Sequence, residues 1–217
     1  MQALNVSLPN YAAMGLPLLG AIIGPDSAMS VSISIAAGTV VMSPLTLVML
    51  EGQTASSKGV PTFHRIVRAF FNAVRKPVVI GPVAGVAVAL AGHPLPNLAA
   101  QTFSLLGQAS AGLALFVTGL VLSSKALNLN ANVVIGVLLK TVIHPLLVFG
   151  LAILLGLKEP EMHEAILLAA IPAGFFGVLF GLDYGVTSED ANSTLAISSL
   201  AGILTLAVAI FLTSGMK

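Results

Sequence analysis

The sequence predicts an all-α membrane protein of about seven transmembrane helices. Three observations carry that prediction: an extreme apolar composition, apolar stretches of bilayer length, and positive charge gathered into one connecting segment. Of the 217 residues, 57% are hydrophobic and only 8% are charged, with a mean hydropathy of +1.02. An ordinary soluble domain carries about 25% charged residues. With so few charged side chains to cover a fold, most of the exterior is apolar, and an exterior of that kind faces lipid.

A spanning helix needs about 20 mostly apolar residues, and seven stretches meet or approach that: 5–23, 29–50, 78–92, 98–123, 131–157, 165–184 and 191–213. The first carries Leu8-Pro9-Asn10-Tyr11 and runs on through apolar and glycine residues to Gly24 and the acid Asp26. The second opens with Ser30, Ser32 and Ser34. The third is short, and its Gly81-Pro82 and Gly85 suit close helix packing in lipid. The fourth holds Gln108 and Ser110, and the fifth holds Lys140 and His144. The sixth contains Ile171-Pro172-Ala173-Gly174 and ends at Asp183-Tyr184; the seventh follows Glu189-Asp190 and opens with Ser193, Thr194, Ser198 and Ser199.

The segment 51–77 contains Lys58, Arg65, Arg68, Arg75 and Lys76, more than half of the nine Lys and Arg residues. Cytoplasmic loops collect such charge, so this segment is expected inside, with the N-terminus inside and the C-terminus outside. That threading also places Lys125 inside and Lys158 and Lys217 outside. Within the segment, Ile66, Val67, Phe70, Phe71 and Val74 fall at helical spacing opposite Arg68 and Arg75, as in a short surface-lying amphipathic helix. A solvated basic connector accounts for the same residues.

Spans one and two resemble spans six and seven: broken helix, acidic turn, then a helix rich in small polar residues. Under this threading the two units run in opposite directions, the signature of an inverted-topology repeat. Counted back from the C-terminus, residues 78–217 form one complete five-helix repeat. Residues 1–50 then supply the last two helices of the other repeat, with 51–77 as the basic cytoplasmic loop. The chain thus reads as a ten-helix, five-plus-five inverted-repeat fold with two broken crossover helices, from which the N-terminal three helices are absent.

No cysteine is present, which excludes disulfides, thiolate metal sites and a cysteine nucleophile. The sequence has no Walker-type phosphate loop, no His-Glu-x-x-His and no glycine-flanked serine with acid and base partners. An enzyme is therefore not expected, nor a cofactor, a metal site or a nucleic-acid partner. Transport driven by a substrate gradient, by membrane potential or by a coupled ion remains.

The strings Leu8-Pro9-Asn10-Tyr11-Ala12-Ala13-Met14-Gly15-Leu16-Pro17-Leu18-Leu19, Ala114-Leu115-Phe116-Val117-Thr118-Gly119-Leu120, Lys140-Thr141-Val142-Ile143-His144-Pro145 and Ile171-Pro172 with Asp183-Tyr184 occur in this order. Together they resemble the auxin efflux carrier family, in particular its bacterial malonate-transporter-like members. The resemblance implies a scaffold domain and a mobile transport domain whose broken helices cross near the midplane. It also implies a homodimer in a bacterial cytoplasmic (inner) membrane, moving a small organic anion, a mono- or dicarboxylate with malonate foremost, coupled to a proton or a sodium ion. The alternative is a truncated chain, inactive or dependent on a partner for the missing helices.

The site residues expected are Pro9, Asn10, Gln108, Lys140 and Pro172 for the substrate, and Lys140 and His144 for proton coupling. Proline removes a backbone donor and unwinds a helix, and an unwound helix at the midplane turns its N-terminal amides toward an anion. A plain proline kink is the alternative for either one alone. The resemblance makes Asn10 a direct carboxylate ligand and puts Gln108 where plant relatives carry an acid; Gln108 otherwise ties two helices together by a hydrogen bond. Lys140 and His144 share a helix face. A lysine inside a span costs roughly 2.5–3.5 kcal/mol and so marks a functional path, while a histidine there is equally well explained by a bond to a backbone carbonyl. Asp183 and Tyr184 are a candidate gate at the cytoplasmic end of the sixth span.

Overall fold

The computed structural model describes residues 1–42, 45, 67, 71, 75, 77–92, 95–123, 127–183, 185 and 188–214. Among these the fold is all-helical, with no named strand. The helices are α1 (Gln2–Ser7), α2 (Tyr11–Ile22), α3 (Ala28–Ala37, continued by a π turn over Gly38–Met42) and α4 (Pro77–Leu90). They continue as α5 (Asn97–Ser123), α6 (Ala131–Leu154), α7 (Glu161–Ala170), α8 (Phe176–Asp183) and α9 (Glu189–Ser214). Each apolar stretch has a helical counterpart, and the first and sixth are each split into two half-helices. The basic segment and its amphipathic-helix expectation lie outside the described residues apart from Val67, Phe71, Arg75 and Pro77, and Lys125, Tyr184 and Lys217 also lie outside them.

The chain divides into two compact units, Met1–Ser32 with Gly107–Lys217, and Ile33–Leu106. In the second unit the Gly38–Met42 turn packs against α4. In the first, α6 and α9 are long and apolar enough to cross a bilayer, with spans of 24 and 25 residues, or about 36 Å each at 1.5 Å per residue. Their outer faces carry large apolar side chains in the open, Leu154 at 80% exposure and Phe211 at 78%, as a lipid-facing surface does.

The two helix breaks follow from a local rule. A residue preceding proline is pushed out of the helical region. Leu8, before Pro9, closes α1 at φ −110°, ψ 98°, and Ile171, before Pro172, closes α7 at φ −58°, ψ 137°. Other prolines leave a milder mark. The π turns Tyr11–Gly15 and Leu139–Ile143 end two residues before Pro17 and Pro145, and Gly38–Met42 ends two residues before Pro44 in the sequence. A widened turn relieves the clash of the proline ring with the carbonyl four residues back.

In the first unit α7 packs on α6 and α9, while α1 packs on α8 and α9. This puts Leu167, Ile171, Ala173 and Leu195 in the interior. The N-termini of α6 and α9 are joined by a polar knot. Asp190 accepts from Asn130 Nδ2 at 2.6 Å and from Asn132 Nδ2 at 3.2 Å, and Ser193 Oγ accepts from the Asn128 amide at 2.9 Å. Asn130 also caps α6, its Oδ1 accepting from the Val133 amide at 3.0 Å. One carboxylate beside two helix N-termini is the favourable sign of charge for both dipoles.

Candidate functional site

The two unwound segments, 8–10 and 171–175, meet. Pro9 and Ala173 form an antiparallel bridge, in which the Asn10 amide donates to the Pro172 carbonyl at 3.1 Å and the Gly174 amide to the Leu8 carbonyl at 2.8 Å. The Gly174 amide also lies 3.1 Å from the Asn5 carbonyl, and the Ala173 amide donates to Ser198 Oγ of α9 at 3.4 Å. In a bilayer a freed backbone group must find a partner inside the protein; here each break supplies the partners of the other. Four helix ends converge on this point, the C-termini of α1 and α7 and the N-termini of α2 and α8. The close approach needs a glycine, because a Cβ at Gly174 would run into the Leu8 carbonyl.

Asn10 sits at the mouth of α2 and is 6% exposed. Its amide oxygen is sealed from solvent and has no hydrogen-bond partner among the described residues. A buried polar group without a partner costs about 1–3 kcal/mol, and the unpartnered atom here is an acceptor, which a donor and not a carboxylate oxygen would satisfy. Asn5, wholly buried one turn before the break, is half satisfied. Its Nδ2 donates to the Ala191 carbonyl at 3.0 Å while its Oδ1 is unpartnered.

Lys140 and His144 do come together. Lys140 lies in the π turn of α6, wholly buried, with Nζ 2.8 Å from His144 Nδ1 and donating to the Ala169 carbonyl at 2.9 Å. With Lys140 protonated, its ammonium only donates, and Nδ1 then accepts with the ring proton on Nε2. The histidine is therefore satisfied by the lysine rather than by a backbone carbonyl. Ala169 belongs to the last turn of α7, one of the four carbonyls a helix cannot pair internally. Lys140 thus reaches the crossing through the end of α7.

A family model described as "Membrane transport protein" matches residues 1–210. The chain belongs to this family, the auxin efflux carriers. A protein named "Uncharacterized transporter YfdV" from Escherichia coli (strain K12) is 25% identical over 94% of the chain and 64% of its own length. A "Putative malonate transporter" from Rhizobium meliloti is 31% identical over 63% of the chain and 43% of its own length. "Auxin efflux carrier component 6" from Arabidopsis thaliana is 29% identical over 57% of the chain and 22% of its own length. The chain therefore spans less than two thirds of the length of these relatives.

In this member of the carrier family the remaining expected site residues lie on other helices than α1, α2 and α7. Gln108 is exposed on α5, and Asp183 is the last residue of α8. A cavity of about 570 Å³ between α6 and α9, floored by Ile166, is walled by Leu146, Phe149, Leu204 and Val208. Its three threonines, Thr141, Thr205 and Thr213, each donate to a carbonyl of their own helix. That lining offers an anion nothing.

Sequence reasoning passed over Asn5, Gln2 and Glu164. Gln2 Nε2 bridges the Asn132 carbonyl at 2.7 Å and Thr194 Oγ1 at 3.0 Å. Glu164, 7% exposed in the first turn of α7, accepts from Ser30 Oγ of α3. Its position one residue before an apolar stretch was the only signal available, and that position is also where an interfacial acid is unremarkable.

Proposed function

We propose that this chain carries a small organic anion, a mono- or dicarboxylate with malonate as the first candidate, across a bacterial cytoplasmic membrane by alternating access around the Pro9–Ala173 crossing. The observation that supports this most is the meeting of the two helix breaks at Pro9 and Ala173, with Asn10 buried beside it where two helix N-termini begin. A carboxylate there receives amide donors from Asn10 and the partial positive charge of α2 and α8. Recognition by a neutral amide leaves no buried charge to be compensated when the site is empty. A relative's name, malonate transporter, accords with the substrate class. The coupling ion is a proton or sodium, with Lys140 and His144 as the titratable pair adjoining the crossing, and the working form is a homodimer.

Uptake and counterflow of radiolabelled malonate in proteoliposomes test this reading, with Asn10→Ala run beside the parent chain. Counterflow in the parent that is lost in the variant is the expected result. Equal counterflow in both removes Asn10 from the site, and absence of flux for a panel of mono- and dicarboxylates in the parent removes the substrate class.

A further inference from the structure

Lys140 was expected among the substrate ligands, yet its ammonium is already engaged with two protein acceptors, 2.8 and 2.9 Å away, and none of it reaches the surface. The acceptor that matters is the Ala169 carbonyl. Helix α7 is ten residues long and ends at Ala170, so its unpaired terminal carbonyls present partial negative charge at the edge of the crossing. The other helix that ends there, α1, is closed by neutral donors alone: the Leu4 carbonyl takes the Leu8 amide at 3.0 Å and Ser7 Oγ at 3.3 Å, and the Asn5 carbonyl takes the Gly174 amide at 3.1 Å. Only two residues separate Ala169 from Pro172, whose carbonyl receives the Asn10 amide. Whatever fixes the end of α7 therefore fixes one side of the bridge that presents Asn10.

We infer that Lys140 is a positioning residue, whose ammonium charge clamps the C-terminal end of α7 through the Ala169 carbonyl and so holds the crossing in register, without touching the transported anion. His144 Nδ1 is the second acceptor that aims the ammonium, and the π turn at Leu139–Ile143 is the local widening in which Lys140 sits. The charge has a second consequence. It offsets the negative end of α7 at a place where an anion is to bind, so the site loses a source of repulsion as well as a source of disorder.

The inference rests on the crossing being the anion site, but its structural arm is read without any substrate. Peptide-resolved amide hydrogen exchange on the parent chain in nanodiscs is compared with Lys140→Met and with Lys140→Gln, which keeps N–H donors but not the charge. Exchange over 171–176 is expected to rise about tenfold in Lys140→Met, the scale of one helix-end charge, and to rise less in Lys140→Gln, with α9 unchanged in both. Binding of malonate and of acetate should weaken by the same factor, because a displaced bridge harms every carboxylate alike. Unchanged exchange over 171–176 with malonate affinity lost and acetate affinity kept would make Lys140 a ligand and overturn the inference. Exchange raised equally along all helices would reduce Lys140 to a general stabiliser, and a Lys140→Gln variant identical to the parent would dispose of the charge; both also overturn it. Should Lys140→Met fail to fold, the Lys140→Gln comparison decides alone.

Discussion

Replacing Asn10 by alanine should move affinity and stability in opposite directions. A hydrogen bond to a charged acceptor is worth about 1.5–3 kcal/mol, so losing the amide should weaken carboxylate binding roughly ten- to a hundredfold. In the empty protein the same amide is a cost. It is 6% exposed with its oxygen unpartnered, and removing such a group relieves about 1–3 kcal/mol, offset in part by the small space alanine leaves. A net gain of about 1 kcal/mol corresponds to about 2–4 °C in Tm for a chain of this size. The assay is thermal unfolding of both proteins in nanodiscs with and without malonate. The parent should gain about 2.7 kcal/mol at a ligand concentration of a hundred times Kd, and the variant almost nothing. A variant that unfolds at a lower temperature than the parent without ligand, or that keeps its ligand-induced shift, refutes the reasoning. The first result would mean the amide holds the fold; the second, that it does not hold the anion.

Gly174→Ala drives a Cβ into the Leu8 carbonyl and forces apart the bridge bonds of the Gly174 amide; about 2–5 kcal/mol of destabilisation is expected by thermal unfolding. Gly150→Ala, where a Cβ meets nothing within 4 Å, should instead stabilise α6 by about 0.5–1 kcal/mol in the same assay. Asp190→Ala leaves the Asn130 and Asn132 amides without their shared acceptor and two helix N-termini without their counter-charge. About 1.5–3 kcal/mol should be lost, with hydrogen exchange rising first over 128–134 and 189–194. Ser30→Ala strips the buried Glu164 carboxylate of its hydroxyl donor, and a double-mutant cycle with Glu164→Gln should return a coupling above about 0.5 kcal/mol. A coupling of zero would show that the two side chains do not act on one another.

What could be read from the sequence and what could not divides along the range of the interactions. Composition and apolar run length foretold an all-helical membrane fold because both express a property of the surface, which needs no partner. The breaks at Pro9 and Pro172 were legible because the pre-proline restriction acts on the adjacent residue, and Leu8 and Ile171 obey it. The roles of the polar side chains inside the spans were not legible, because each is set by a residue far away in the chain. Lys140 acts on Ala169, 29 positions on, and Asn5 on Ala191, 186 positions on.

Lys140 shows why periodicity alone could not reach its role. Its four-residue spacing from His144 correctly gave a shared face, and the cost of burying its charge called for partners inside the protein. Which partners depends on what lies opposite that face, and there the Pro172 break does the deciding. An uninterrupted sixth helix would pair the Ala169 carbonyl within its own ladder and give the ammonium nothing to hold. The proline that opens the crossing is thus also what leaves the Ala169 carbonyl open to Lys140. Pro172→Ala should therefore unsettle both at once: if α7 and α8 fuse across the gap, the Ala169 carbonyl is taken, and Lys140 is left as a buried cation with His144 as its one partner. Breaking a buried charge from its partners costs more than the bond is worth. The variant should accordingly be less stable than the parent despite gaining helix, and addition of Lys140→Met should restore part of the loss. A double variant no more stable than Pro172→Ala alone would uncouple the lysine from the break.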